Sequence, residues 1–275
     1  MNTEPIMVIK LGGGEGIDAG PTVRAIAHRV ARGERIVLVH GGSHETNELS
    51  RTLGRPPQFI TSPSGHTSRR TDRPTLEVFL MAYCGLVNKS IVEELRRLGV
   101  DAVGLSGIDA GIWRGERKGA IRSVEDGRVT LVRDDLSGRV TGVDGAFLSS
   151  LLDRGLTPVL TPPAITDDGV AINVDADRAA AATASALDAD RLLLLSNVPG
   201  VLKDVHDPTS LITSAGPEDE RVRNAAHGRM KNKVLAAEEA LAGGVRTVVI
   251  GPASGEDPVG AALDGAGTRF EGVPA

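Results

Sequence analysis

Two rhythms of apolar residues alternate along this chain. Short, nearly continuous runs of Val, Ile and Leu read as strands. Between them lie segments whose apolar positions recur every three or four residues, the spacing of a helix with one buried face. Ile6–Leu11 is the first strand; Pro21 then opens a helix in which Val23, Ile26, Ala27 and Val30 share a face, and Gly33 ends it. Arg35–Val39 is apolar enough for a strand buried on both faces. A long helix is predicted from Pro74 to Leu98, with Asp72 as candidate cap and Gly99 as stop, and then a strand Val100–Leu105. Ala120–Val124 and Arg128–Val132, joined through Asp126-Gly127, read as a hairpin. Helix Asp144–Leu152, strand Thr157–Leu160, helix Asp175–Leu187, strand Arg191–Leu195, helix Lys231–Ala242 and strand Arg246–Ile250 complete the alternation. This is the pattern of an α/β protein whose mainly parallel sheet is flanked by helices, with the hairpin region as the seam between two lobes sharing that sheet.

Composition narrows the picture. Aromatic residues are 2% of 275 while apolar residues are 40%, so the core must be aliphatic and rich in alanine. A net charge of -5 argues against general nucleic-acid binding. Cys84 is the one cysteine, which excludes an intrachain disulfide, and in its apolar helical setting it reads as core. No stretch of about 18 apolar residues and no basic-then-apolar leader stand out, so a soluble cytoplasmic protein without membrane or nucleic-acid partners is expected.

Glycines follow three strand ends, at Lys10-Leu-Gly-Gly-Gly14, His40-Gly-Gly-Ser43 and Leu105-Ser-Gly107. In such sheets ligands bind at the carboxyl ends of strands, where glycine lets backbone N–H groups approach an anion; glycine there is also ordinary turn chemistry. No dinucleotide fingerprint is completed, since Ile17 stands where the third glycine would, and no P-loop is present. Lys10 closes an apolar run, where an ammonium is costly without an anionic partner unless it snorkels past the sheet edge. Asn173, Asp175 and Asp177 alternate before an alanine-rich helix; in an extended segment they would share one face, and one of the aspartates can cap the helix. Gly228-Arg-Met-Lys-Asn-Lys233 puts cations at a helix start, unfavourable for the macrodipole but suited to a phosphate. Arg51 to Arg73 holds five arginines, His66 and one acid, Asp72, which is either a solvated patch or a recogniser of carboxylates. His40, His44, His66 and His227 show no zinc-site spacing, no Ser-His-Asp arrangement is discernible, and Trp113 reads as a loop residue.

In this order, Lys10-Leu-Gly-Gly, His40-Gly-Gly, Ser68-Arg-Arg-Thr-Asp72, Leu105-Ser-Gly107, Asn173-Val-Asp-Ala-Asp177, Ser196-Asn-Val-Pro-Gly200 and Gly228-Arg-Met-Lys-Asn-Lys233 resemble the amino acid kinase family and its acetylglutamate kinase branch. The resemblance implies an open three-layer α/β/α sandwich, with an acceptor-substrate lobe at about 1–165 and an ATP lobe at about 166–275. It implies that Lys10 and Lys233 grip the transferring phosphoryl group and that Asp177 holds both ammonium groups. Gly12 and Gly13 would meet the ATP phosphates, Gly41 and Gly42 the acceptor, and Ser196, Asn197, Val198, Pro199 and Gly200 the nucleotide. Arg69 and Asn173 match the family's acceptor-binding arginine and asparagine. Mg²⁺ would ride on the nucleotide phosphates with no direct protein ligand.

Departures within the motifs bear on the acceptor. Thr61–Arg73 differs from the glycine-bearing loop usual before the arginine in acetylglutamate kinases, Ile108 stands where those enzymes commonly carry lysine, and Asp175 and Asn197 replace a typical asparagine and aspartate. Tyr83-Cys-Gly-Leu-Val-Asn-Lys89 and Gly228-Arg-Met-Lys231 look like the branch that phosphorylates 2-aminoadipate or glutamate attached to a small acidic amino-group carrier protein, in lysine or arginine biosynthesis. An acidic carrier would suit the basic Arg51–Arg73 stretch. N-acetyl-L-glutamate is the alternative acceptor, and a non-catalytic nucleotide-binding regulator a remoter reading. The resemblance further implies a homodimer, without the N-terminal helix of arginine-inhibited hexamers, and a downstream acyl-phosphate reductase.

Overall fold

The computed structural model describes residues 4–63, 67–125 and 128–272; His66 and the turn Asp126-Gly127 lie outside the described residues. The chain opens with β1 (Ile6–Leu11), α1 (Gly20–Val30), β2 (Arg35–His40), α2 (Ser43–Thr52), β3 (Phe59–Thr61) and β4 (Thr67–Arg69). One continuous helix follows, in which α3 (Arg73–Leu80) passes through a π-helical stretch (Met81–Val87) into α4 (Asn88–Arg97). Next come β5 (Ala102–Ser106), β6 (Trp113–Arg117), β7 (Ile121–Glu125), β8 (Arg128–Val132), β9 (Gly138–Val143), α5 (Gly145–Asp153), β10 (Thr157–Thr161), β11 (Ala164–Ile165) and β12 (Ala171–Ile172). The last part is α6 (Ala176–Ala186), β13 (Arg191–Ser196), β14 (Ser214–Ala215), α7 (Glu220–Ala225), α8 (Arg229–Ala242), β15 (Thr247–Pro252), α9 (Pro258–Leu263) and β16 (Thr268–Glu271).

Among the described residues the main sheet has the order β14-β16-β15-β13-β1-β2-β10-β5. Every pairing in it is parallel except β15 with β16. Side chains of successive strand residues point to opposite faces, so each apolar run feeds two cores. Val8, Val37, Val39, Leu192 and Leu194 pack against α5, α6 and α8; Ile9, Leu38, Leu193 and Leu195 pack against α1, α4 and α9. The result is the expected three-layer α/β/α sandwich. Where α6 meets α8, Ala180, Ala181, Ala184, Ala236, Ala237 and Ala240 are buried, and small side chains let the two helices approach without aromatic filler.

The central strands set the position of the site. Lys10 is in register with Val39 on one side and Leu194 on the other, so the carboxyl ends of β1, β2 and β13 lie level. From β1 the chain moves toward β2, and from β13 toward β15, in opposite directions. Such a reversal opens a crevice at the strand ends.

Three sequence expectations need correction. Trp113 is not a loop residue: it begins β6, is fully buried, and its indole N–H donates to Thr183 Oγ1 at 3.0 Å. A helix, α2, starts directly after His40-Gly41-Gly42, where none was expected. The helix 73–97 is also long and apolar enough to cross a membrane by length and composition, although Leu76, Phe79, Ile91 and Leu95 are buried in this fold. The predicted hairpin forms as β7–β8, off the main sheet and against β3.

Trp113 is the chain's one tryptophan and reports on the core directly. Its emission should be blue-shifted in the native state and move red in one cooperative urea transition. Trp113→Phe should lower stability by roughly 1–3 kcal/mol in that titration, from lost volume and a lost hydrogen bond.

Candidate active site

Lys10 is the last residue but one of β1, its ammonium is buried, and the counter-charge comes from α6. Lys10 Nζ lies 2.7 Å from Asp177 Oδ1, and Lys233 Nζ, from the second turn of α8, lies 3.0 Å from Asp177 Oδ2 and 3.2 Å from Oδ1. All three residues are buried. Burial by itself would raise the Asp177 carboxyl, but the two ammonium groups overcome it and hold the group well below the usual carboxylate range. Lys233 moves the other way: burial and then the Lys10 charge lower it from the ordinary lysine value, and Asp177 only partly restores it.

The sequence reading left open which aspartate caps the helix. Asp175 does, its Oδ1 accepting from the N–H groups of Asp177 and Arg178 at 3.0 Å each. Because the helix begins at Ala176, Asp177 lies inside it, and the alternation proposed for an extended segment stops at Asp175. Asp175 Oδ2 accepts from Asn232 Nδ2 at 2.7 Å, one residue before Lys233. Polar rungs therefore join α6 to α8 at Asp175–Asn232, Asp177–Lys233 and Arg178–Glu239. Asn232 was missed from sequence; its place beside a motif lysine was the available signal.

The glycines at the ends of β1 and β2 meet face to face. A Cβ on Gly13 would fall 2.1 Å from Gly42 N and 2.3 Å from Gly41 C, so a side chain there cannot be accommodated. Gly13 O accepts from His44 N and from Ser43 Oγ, both at 2.8 Å, which pins the first loop to the start of α2. Arg229 brings a guanidinium to the same mouth, 3.8 Å from where a Gly14 Cβ would stand.

Arg69 lies beside the start of α2, its Nη2 donating to Asn47 Oδ1 at 2.6 Å and to Ser43 O at 3.3 Å, with its guanidinium 5.5 Å over the Phe59 ring. Its Nη1 is buried and has no hydrogen-bond partner among the described residues. Desolvation and the Arg229 charge lower Arg69 from its ordinary value, while Tyr83 opposes them. Asn173 is linked to the same segment, its Nδ2 donating to Thr71 Oγ1 at 3.1 Å. Tyr83, unrecognised from sequence, is buried against Gly42 and stacks on Phe79 at 3.8 Å between centroids.

The rest of the basic stretch is less basic than it reads. Arg51 pairs with Glu48, Arg73 with Glu77, and Arg70 with Asp72 and Asp134. On the far side of the crevice Ser196 ends β13, and its buried Oγ, next to Gly12, has no partner among the described residues. Asn197 and Pro199 are exposed, and Gly200 turns the loop inward at φ +146. Lys10 and Lys233 thus share one carboxylate, Arg229 and Arg69 add cations at the glycine loops, and among the described residues Arg69 and Ser196 hold unmatched buried donors. That donor set fits anionic ligands, phosphates and carboxylates above all.

Comparison with known proteins agrees. The model of the Amino acid kinase family matches residues 5–252. The LysW-aminoadipate kinase of Deinococcus radiodurans is 54% identical over 264 residues, covering 96% of this chain and 90% of that protein. The LysW-aminoadipate kinase of Thermus thermophilus is 46% identical, at 96% and 99% coverage, and an acetylglutamate kinase of Methanopyrus kandleri is 41% identical, at 78% and 84%. Among solved structures, carbamate kinase from Giardia lamblia bound to AMP-PNP superposes with TM-score 0.69 at 16% identity over 99% of this chain and 100% of that one, which speaks for the fold alone.

Two substitutions test the geometry. Asp177→Ala leaves two buried ammonium groups without their counter-charge and should lower stability by about 3–5 kcal/mol, read by urea titration. Gly13→Ala should push the two glycine loops apart; a variant with wild-type melting temperature and wild-type nucleotide binding would contradict the contact described.

Proposed function

This chain belongs to the amino acid kinase family, and from that premise we propose that it phosphorylates the side-chain carboxylate of 2-aminoadipate or glutamate borne on a small acidic amino-group carrier protein. Acceptor carboxylate and ATP give an acyl phosphate and ADP. The observation that carries this reading is the Lys10–Asp177–Lys233 arrangement at the glycine mouth.

A carboxylate is ionised at neutral pH, so the reaction needs no general base; alignment and charge neutralisation remain. Lys10 and Lys233 present ammonium groups to the transferring phosphoryl group, and Asp177 keeps them from repelling one another. Gly13 offers its backbone N–H on the nucleotide side and Gly42 on the acceptor side; the Gly12 and Gly41 N–H groups, expected from the sequence to meet the ligands, instead donate to Leu195 O at 2.8 Å and Leu11 O at 3.0 Å and hold the two loops to the strand ends. Arg69 and Asn173 hold the acceptor, Arg69 with its unmatched Nη1. The loop Ser196, Asn197, Val198, Pro199 and Gly200 receives the nucleotide, with the unmatched Ser196 hydroxyl as a donor. ATP supplies the phosphoryl group, and Mg²⁺ on its phosphates supplies further charge neutralisation. We assign residues 1–165 mainly to the acceptor and 166–275 mainly to the nucleotide, Asn173 reaching back to the acceptor side.

The carrier-linked acceptor is favoured over free N-acetyl-L-glutamate by the names of the relatives at 54% and 46% identity. Pairing of Arg51, Arg70 and Arg73 with acids weakens the case for a dedicated basic patch as the docking site. A cytoplasmic homodimer feeding an acyl-phosphate reductase completes the proposal.

Incubation with Mg-ATP and carrier-linked aminoadipate, carrier-linked glutamate or free N-acetyl-L-glutamate tests the acceptor; turnover of the free acid alone overturns the carrier reading, and ATP binding without transfer to any carboxylate favours a regulator. Lys10→Ala should lower kcat by at least about a hundredfold while the acceptor KM changes far less. Because Lys233 is needed as an ammonium and its pKa is lowered, kcat/KM for ATP should fall as pH rises, with the limb beginning below the ordinary lysine value near ~10.4. Lys233→Arg should move that limb to higher pH.

A further inference from the structure

A buried chain of polar groups runs from the helix 73–97 to the Gly41–Gly42 peptide, and phosphoryl transfer as described leaves it unused. We propose that His40 is a positioning residue whose ring fixes the orientation of that peptide, with Asn88 and Lys89 deciding which ring nitrogen carries the proton. The inference rests on the acceptor-side role of the Gly42 N–H, which belongs to that peptide.

His40 is 1% exposed. Its Nδ1 lies 2.9 Å from Gly41 O, and since a carbonyl only accepts, Nδ1 carries the hydrogen. Its Nε2 lies 3.0 Å from Asn88 Nδ2. The Asn88 amide is oriented independently of His40: Nδ2 donates to Val159 O at 3.0 Å, and Oδ1 accepts from Lys89 Nζ at 3.1 Å. Lys89 in turn is tied to Gly104 O at 3.0 Å. With an N–H of Asn88 facing it, Nε2 must accept. Both ends of the ring therefore demand the same neutral tautomer.

Space is reserved for this network. A Cβ on Gly104 would fall 2.1 Å from Asn88 Oδ1 and 2.9 Å from Lys89 Nζ, so the strand opposite gives up a side chain to it. The ring also stays neutral across the physiological range. Burial takes it down to about 4, the Lys10 and Lys89 charges adding to the fall and the Gly41 carbonyl opposing it.

The effect reaches the site through one peptide plane. Among the described residues the only cis peptide is Pro162-Pro163, so Gly41–Gly42 is trans and its C=O and N–H point opposite ways. Drawing the carbonyl to His40 fixes the direction of the Gly42 N–H, and the Tyr83 ring closes the side of Gly42 where a Cβ would stand. The same peptide is what a Gly13 Cβ would strike. A tilt here would shift the surface on which both glycine loops meet.

Three substitutions separate this role from packing. His40→Asn keeps an amide N–H near the Nδ1 position, His40→Gln places its amide toward Asn88 instead, and His40→Phe fills the volume with neither. With carrier-linked aminoadipate as acceptor, His40→Asn should keep kcat within about threefold, and His40→Gln and His40→Phe should lose roughly ten- to a hundredfold in kcat with the ATP KM nearly unchanged. Equal losses in all three, or losses that track melting temperature, overturn the positioning role. The ¹⁵N spectrum of the wild-type imidazole gives a readout that needs neither turnover nor a variant that folds: Nδ1 should be the protonated nitrogen and Nε2 the bare one. The reverse assignment overturns the inference whichever substrate the enzyme uses, whereas a wild-type enzyme that transfers phosphate to no carrier-linked acceptor defeats the acceptor reading instead.

Discussion

Three charges share one buried site, and the rest of the molecule is arranged around keeping them together. Removing an ammonium or a carboxylate from water costs several kcal/mol, and only close pairing offsets that cost. Asp177 pairs with Lys10 and Lys233 at once, leaving one net positive charge in a dry setting. Such an arrangement is poorly stable alone and well matched to an incoming anion. The parallel sheet makes it possible: Lys10 comes from its central strand, and the two helices that supply Asp177 and Lys233 lie side by side on one face because alanines line their contact.

The backbone does as much as the side chains. Gly13 and the Gly41–Gly42 peptide touch so closely that two strand ends form one surface, and α2 begins directly from it. A helix N-terminus and two glycine loops bring N–H groups together where the cations already concentrate positive potential. Phosphoryl transfer between two anions needs that concentration, since each partner would otherwise repel the other.

Much of this was legible in the chain, for identifiable reasons. β1, β2 and β13 were readable because strands buried on both faces are nearly pure Val, Ile and Leu, and Lys10 stood out because an ammonium ends such a run. The resemblance to amino acid kinases then joined Lys10 to Asp177 and Lys233, which no local pattern could do. Local reading failed where partners come from elsewhere in the chain. Arg70 looked like part of a free basic patch, yet Asp134, sixty-four positions on, pairs with it. His40 was set aside for want of zinc-site spacing, while its role depends on Asn88, forty-eight positions away. Trp113 looked like a loop residue because β6 is short and pairs outside the main sheet.

The π-helical stretch Met81–Val87 has a bearing on how this enzyme can change over evolutionary time. It puts Tyr83 against Gly42 upstream and Asn88 against His40 downstream, along one unbroken helix. Each residue of an α-helix turns the chain by about 100°, so a single deletion between these two anchors would swing one of them away from the site. The wider turn is thus locked in by its two ends. Descendants of this sequence can vary the exposed Met81 and Leu86 freely in type, but the number of residues between Tyr83 and Asn88 is the quantity they must inherit unchanged.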